Sequence, residues 1–263
     1  MQKIRESLLQ EPLYRPLWRH LSDLSRCGGT PEIGDLNALR EQLSDIPCSA
    51  GGAPIHFSNA TQRLSAQQYE LAIFERGQVA TRAGNWHDLF NALVWLRFGK
   101  LKAALNALHC HYMGAAERGP QRDFATLLDE SGVLLVYDKP RYVELLRERE
   151  WHALFWRRRD EVQRHTRFFV VGHALFEKAL APYPGLTGKV LALQAPASFM
   201  SLEYTVALAE VDRRAACWVA ENAAQATARH LLPLPILGVP GWSAQQTESL
   251  YNDVRYFRPR VRL

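Results

Sequence analysis

His87, His109, His173 and Glu177 are nitrogen and carboxylate donors of the kind that hold a divalent transition metal, and Asp88 and Asp123 stand by as a further ligand or a base. Metal-assisted hydrolysis needs such ligands to converge with one coordination position left open, where the pKa of a water falls toward neutrality. His173 and Glu177 are four residues apart, which places both on one helix face; that spacing serves metal ligation and plain side-chain pairing alike. His87 and Asn91 share a face for the same reason. The chemistry this set supports is hydrolysis, with a phosphoester as one substrate class and one divalent transition metal as the cofactor. A metal-free reading competes with it: the polar residues specify helix packing, or hold a small anion through Asn91, Asn106, Arg118 and Arg122.

Other chemistries lack their residues. The adjacent His87-Asp88 invites comparison with histidine-aspartate phosphohydrolases, but His56 falls in an apparent strand and Asp129 in an apparent turn, not on the helices such a site requires. Neither a glycine-rich phosphate loop nor a nucleophile elbow is present. Cys110 is flanked by His109 and His111, and neighbours in a helix point to different faces. The four cysteines are widely and irregularly spaced with no Cys-x-x-Cys pair, which argues against a zinc ribbon or a disulfide framework and fits a reducing cytoplasm.

The elements that must position these residues begin with Gly84 to Phe98, a helix apolar almost all round that nevertheless carries His87, Asp88 and Asn91. Such a helix is buried, and its polar groups must find partners, since an unsatisfied one costs roughly 1–3 kcal/mol. Asn85 is its expected N-cap, and capping is the competing structural role for Asp88, three residues on. Gly99 then ends the helix, and a second stripe follows, with Leu101, Leu105, Leu108 and Tyr112 on one side and Lys102, Asn106 and His109 on another. A helical hairpin about Gly99 would bring His87 level with His109 to His111, and Asn91 level with Asn106.

Upstream, Thr30-Pro31-Glu32 reads as a helix start and Ser65-Ala66-Gln67-Gln68 as a capping box, with a loop from Pro47 to Pro54 between them. Downstream, Phe124 to Leu128 and Val133 to Tyr137 read as a β-hairpin about Asp129-Glu130-Ser131-Gly132, which makes Asp129-Glu130 a turn tip. Helical spacing returns over Pro140 to Arg159, Arg167 to Val171 reads as a strand or a buried helix start, a strand is expected at Lys189 to Leu193, and Leu202 to Glu221 is helical. The proline-rich stretch Leu231 to Trp242 should lie extended over the core. The fold class expected is α+β, mainly helical with a small antiparallel sheet, with residues 1–64 a helical extension packed on a main domain at 65–263.

The composition, 47% hydrophobic and 22% charged over 263 residues, is that of a globular protein with a sizeable core. No apolar run approaches the roughly 18–20 residues that span a bilayer, and the charged N-terminus has no apolar segment behind it, so no membrane partner and a cytoplasmic location are expected. The net charge of +5 is carried by 26 arginines against six lysines, which leaves anionic partners open. Arg157 to Arg159 and the arginines beside Tyr251, Tyr256 and Phe257 make nucleic acid the weaker of these expectations.

Several segments in order carry a resemblance: Asn85 to Trp95, Lys102 to His109, Arg118-Gly119-Pro120 with Arg122-Asp123, Asp129 to Gly132, Gly172 to Leu186, and Leu237 to Trp242. Together they resemble an uncharacterised bacterial family, the domain of unknown function numbered three-zero-two-five, from about Tyr69 to Pro259. The resemblance brings no activity, substrate or cofactor. It implies that the His87, His109 and His173 segments belong to one architecture.

Overall fold

The computed structural model describes residue 4 and residues 6–61, 63–113 and 119–260. In chain order the elements are α1 (Trp18–Ser25), α2 (Ile33–Glu41), β1 (His56–Asn59), α3 (Ala66–Arg76), β2 (Gln78–Thr81), α4 (Trp86–Arg97), α5 (Gly99–His111), α6 (Pro120–Ser131), β3 (Gly132–Tyr137), α7 (Arg141–Arg147), α8 (Arg159–His165), β4 (Thr166–Val170), α9 (His173–Lys178), β5 (Thr187–Gln194), α10 (Tyr204–Glu221) and β6 (Leu232–Pro235). The protein is α+β and mainly helical.

The main sheet has the order β4-β3-β5-β6. Its two outer pairings are antiparallel, as expected, but β3 and β5 run parallel, so the sheet is mixed. The parallel pair is central, and Gly132 through Val136 of β3 are buried; Val-Leu-Leu-Val is the unbroken apolar run such a strand requires. A second, two-stranded sheet pairs β1 with β2 in parallel across α3. One hydrophobic cluster joins Leu17 and Leu21 of the N-terminal segment to Phe90 and Trp95 of α4 and to β3.

The hairpin expected about residues 129–132 does not form. Pro120 opens α6 at its first turn, where its missing N–H costs nothing, and Phe124, Ala125 and Leu128 form the buried stripe of a helix. α6 then runs into β3 with no loop, so Asp129 and Glu130 occupy its last turn instead of a turn tip. Gly132 is needed for close packing: a Cβ there would stand 2.1 Å from the Leu128 carbonyl oxygen. Gly172, ahead of α9, faces the same constraint, since its Cβ would fall 2.4 Å from the Gly132 nitrogen. The Val171 and Gly172 amides both donate to the Gly132 carbonyl, at 3.0 and 2.9 Å. The end of α6 and the start of α9 are thereby clamped together.

The helices either side of Phe98 are as expected in extent, and Phe90, Val94 and Phe98 are buried. They do not pack along their length as a hairpin. α4 lies chiefly along α9, while α5 lies along α10, α6 and α3. α2 starts at Ile33, with Glu32 and Asp35 forming the capping box, so Thr30 is not its N-cap. The helical stretch over 140–159 is broken: Arg149 adopts a left-handed conformation at φ 57°, and a short π-helical turn at Ala153–Arg157 separates α7 from α8.

Candidate metal centre

The first turn of α4 presents His87 because Asn85 ends the extended chain and accepts the Asp88 amide at 3.0 Å. α9 packs on α4 and brings His173, its first residue, and Glu177, one turn on, to opposite sides of the His87 ring. Glu177 Oε2 is 3.0 Å from His87 Nδ1, and His173 Nε2 is 3.1 Å from His87 Nε2, the two rings meeting edge to face at 79°. From the end of α6, Glu130 Oε1 approaches His173 Nε2 to 3.8 Å and Asp129 Oδ2 approaches His173 Nδ1 to 3.6 Å. Donor atoms of His87, Glu130 and His173 all lie within 4.8 Å of one another.

Proton bookkeeping makes this arrangement informative. The Glu177 carboxylate can only accept, so His87 Nδ1 carries a proton, and in the neutral ring this leaves a lone pair on Nε2. His173 Nδ1 is buried and forms no hydrogen bond among the described residues, and Asp129 is the acceptor that faces it. A proton on that nitrogen leaves a second lone pair on His173 Nε2, aimed at the first from 3.1 Å. Two facing lone pairs repel, whereas a proton shared as an N–H···N hydrogen bond, or a metal cation between them, makes the same contact favourable. Two nitrogens bound at about 2.0–2.1 Å to one tetrahedral ion stand about 3.3 Å apart, close to the separation seen. Carboxylates behind both imidazoles complete the pattern of an outer shell that orients metal-ligating histidines. Burial pushes the His173 imidazole down to about 3, outweighing the upward pull of Asp129, so the ring is neutral at pH 7, as a metal ligand must be.

Behind these groups runs a chain of hydrogen bonds. Lys102 of α5, itself buried, donates to Asp129 Oδ1 at 2.6 Å and Asn91 Oδ1 at 2.8 Å, and Asn91 donates to the Tyr69 hydroxyl at 2.9 Å. Burial alone would raise the Asp129 carboxyl; Lys102 and His173 instead hold it below the usual range. Glu130 is raised, because burial outweighs the lowering charges of His87, Lys102 and Lys178. On α3, burial pushes Glu70 up to about 7, although Asn106 donates to its Oε2 at 2.7 Å. All of these line one cleft of about 700 Å³, ample for a small molecule, whose lining also includes Arg63 and Leu64.

The structure divides the residues singled out from the sequence. His87, His173 and Glu177 come together as described. His109 lines the same cleft but stands outside the converging group. Asp88 lines it too, with both carboxylate oxygens engaged by the Arg82 guanidinium at 2.8 Å; these bonds hold its carboxyl below the usual range against the effect of burial. Asn91 and Asn106 line it, each tied to a neighbour across a helix pair. Asp123 is exposed in the first turn of α6 and Arg122 half-buried beside it, both outside the cleft lining. Arg118 lies outside the described residues. Glu130, Asp129, Lys102, Tyr69 and Glu70 are members that the sequence reading did not assign to the site. The stripe Phe124-Ala125-Leu128 was the signal for the first two, because helical phase puts them one turn beyond it. Cys110 bonds the Glu70 carbonyl, and burial pushes its thiol up to about 11, which removes it as a nucleophile.

A family model described as Protein of unknown function (DUF3025) matches residues 55–261. No curated protein and no solved structure matches the chain.

Proposed function

The chain belongs to the DUF3025 family, and because that description assigns no activity we propose a function from the cleft itself: metal-assisted hydrolysis of a small anionic ester. The observation that carries this reading is the convergence of His87 Nε2, His173 Nε2 and Glu130 with a carboxylate behind each imidazole. A divalent transition metal held by these three groups would supply Lewis acidity toward a water or a substrate oxygen, and three protein ligands leave a position for it. Glu177 and Asp129 hold the two imidazoles in the tautomer that exposes Nε2. Lys102 keeps Asp129 ionised and fixed. Glu70, raised toward neutrality across the cleft, is suited to exchange a proton with a reacting group. Arg63, which forms no ion pair among the described residues, offers a charge to the anionic part of a substrate.

This revises the ligand set inferred from sequence. Glu130 takes the place given to Glu177, which acts on His87 from behind, and His109 and Asp123 fall away as ligands. The phosphoester preference rests on the cleft's cations and on the suitability of metal centres for that chemistry.

The test is elemental analysis of protein purified without a metal-affinity tag and then equilibrated with zinc, manganese or nickel. About one equivalent per chain is expected, lost in His87→Ala and His173→Ala with the far-ultraviolet circular dichroism unchanged, together with metal-dependent cleavage of p-nitrophenyl phosphate esters. Wild-type protein that holds no stoichiometric metal, with both variants merely less stable, would return the cluster to the packing reading.

A further inference from the structure

A second cavity, of about 500 Å³, lies on another part of the molecule, where the chain's beginning meets its end. Its walls come from the 3-10 segment Pro12–Leu17, from β4, from the start of α10 and from Val239 to Trp242. Two arginines face it. Arg15 lays its guanidinium carbon 3.9 Å over the Tyr204 ring. Arg167 is fixed from one side, its Nη2 donating to the carbonyls of Met200 at 2.6 Å and Leu202 at 2.8 Å. Its Nη1 is buried and has no hydrogen-bond partner among the described residues. Phe168 and Trp242, edge to face at 6.2 Å, add a flat apolar wall.

The two charges have no ion-pair partner of their own among the described residues. Glu203 is the nearby carboxylate, and it is taken up at the N-terminus of α10, accepting the Thr205 and Val206 amides at 2.7 and 3.3 Å. Burial, and then the charge of Arg15, hold the Arg167 guanidinium below its ordinary range, against the opposing pull of Tyr204 and Glu203. Two like charges beside aromatic surface, one already rigid, form a recognition element suited to an anion.

We propose that this cavity binds an organic phosphate monoester, its dianionic head between Arg15 and Arg167 and a flat apolar body against Trp242 and Phe168. A dianion balances both guanidiniums, where a monocarboxylate would leave one unmatched, and planar forks suit phosphate oxygens. The site is independent of the metal centre and of the reaction proposed there. Arg15 stands upstream of the family-matched region, so the ligand would tie the N-terminal segment to the main sheet.

The test uses benzylphosphonate, whose carbon-phosphorus bond resists hydrolysis, titrated calorimetrically into chelator-treated full-length protein. Saturable binding at one equivalent is expected, weakened at least tenfold in Arg15→Gln and in Trp242→Ala and unchanged in His87→Ala. Arg15 is exposed, so its replacement leaves the fold intact, and the melting temperature of the free variant verifies this. Inorganic phosphate should bind at least tenfold more weakly than benzylphosphonate, and so should benzoate. Equal binding of inorganic phosphate, equal binding of benzoate, an unchanged affinity in Arg15→Gln, or no binding at millimolar concentration would each overturn the assignment.

Discussion

Glu177 acts on a nitrogen that faces away from the cleft, which allows orientation to be separated from ligation. Glu177→Gln keeps the size of the side chain and removes the charge that fixes the His87 proton on Nδ1. Metal affinity is expected to fall about 10–100-fold in a competition titration with a chelator, while stability changes by no more than about 0.5 kcal/mol at this half-exposed position. Asp129→Asn should behave differently. It leaves the Lys102 ammonium buried without its counter-charge, so a stability loss on the order of 3–5 kcal/mol is expected in urea denaturation, and a loss below about 1 kcal/mol would show that Asn91 alone satisfies the lysine. A histidine far from the cleft reports on acid stability. Burial, with Arg97 and Arg19 adding to it, pushes His20 down to about 4, so between pH 6.5 and 4 the unfolded chain binds a proton that the folded one refuses. Its contribution is intact above pH 6.5 and is lost as pH falls toward 4. The stability difference between wild type and His20→Gln should therefore drift against the wild type by about 1.4 kcal/mol per pH unit in that window, and a pH-independent difference would place the His20 proton elsewhere.

At the level of elements, the join between α6 and β3 decides where the ligands fall. A Gly172→Ala substitution drives a methyl group into the Gly132 nitrogen and must part the end of α6 from the start of α9. Metal affinity should fall before helical content does; a variant that binds metal normally would show that the clamp is slack. The same join explains what could and could not be read from the chain. Helix caps were legible because their chemistry is local: Ser65 accepts the Gln68 amide and Asn85 the Asp88 amide, as their spacing required. The strand at 187–194 was legible from its apolar run, whereas the run at 166–170 left strand and buried helix both open. Asp129-Glu130-Ser131-Gly132 was misleading because its glycine answers a contact with Gly172, forty residues away in sequence, that no local pattern encodes. The role of Lys102 was hidden for a similar reason. Its place on the polar stripe with Asn106 and His109 could be read, but not its partners, which α6 and α4 supply as Asp129 and Asn91.

Across the whole molecule, no helix among the described residues is long and apolar enough to cross a membrane. The arginines singled out for nucleic acid are partly engaged within the chain: Arg158 pairs with Glu161, Arg255 with Asp253 and Arg260 with Glu148, while Arg159 donates to Gln246. Oligonucleotide retention is accordingly expected to be weak and nonspecific at low salt and absent at physiological salt; a tight complex with a steep salt dependence would reopen the nucleic-acid reading. The three groups proposed to hold metal come from α4, α6 and α9, separated by long stretches of chain and brought together where α4 and α6 both pack on α9. An unfolded chain has no such chelate, so free metal acts by mass action on folding itself. At a hundred times its dissociation constant, metal would deepen the folded state by about 2.7 kcal/mol. Starvation for that metal would then appear as loss of the protein to proteolysis, in addition to loss of its activity.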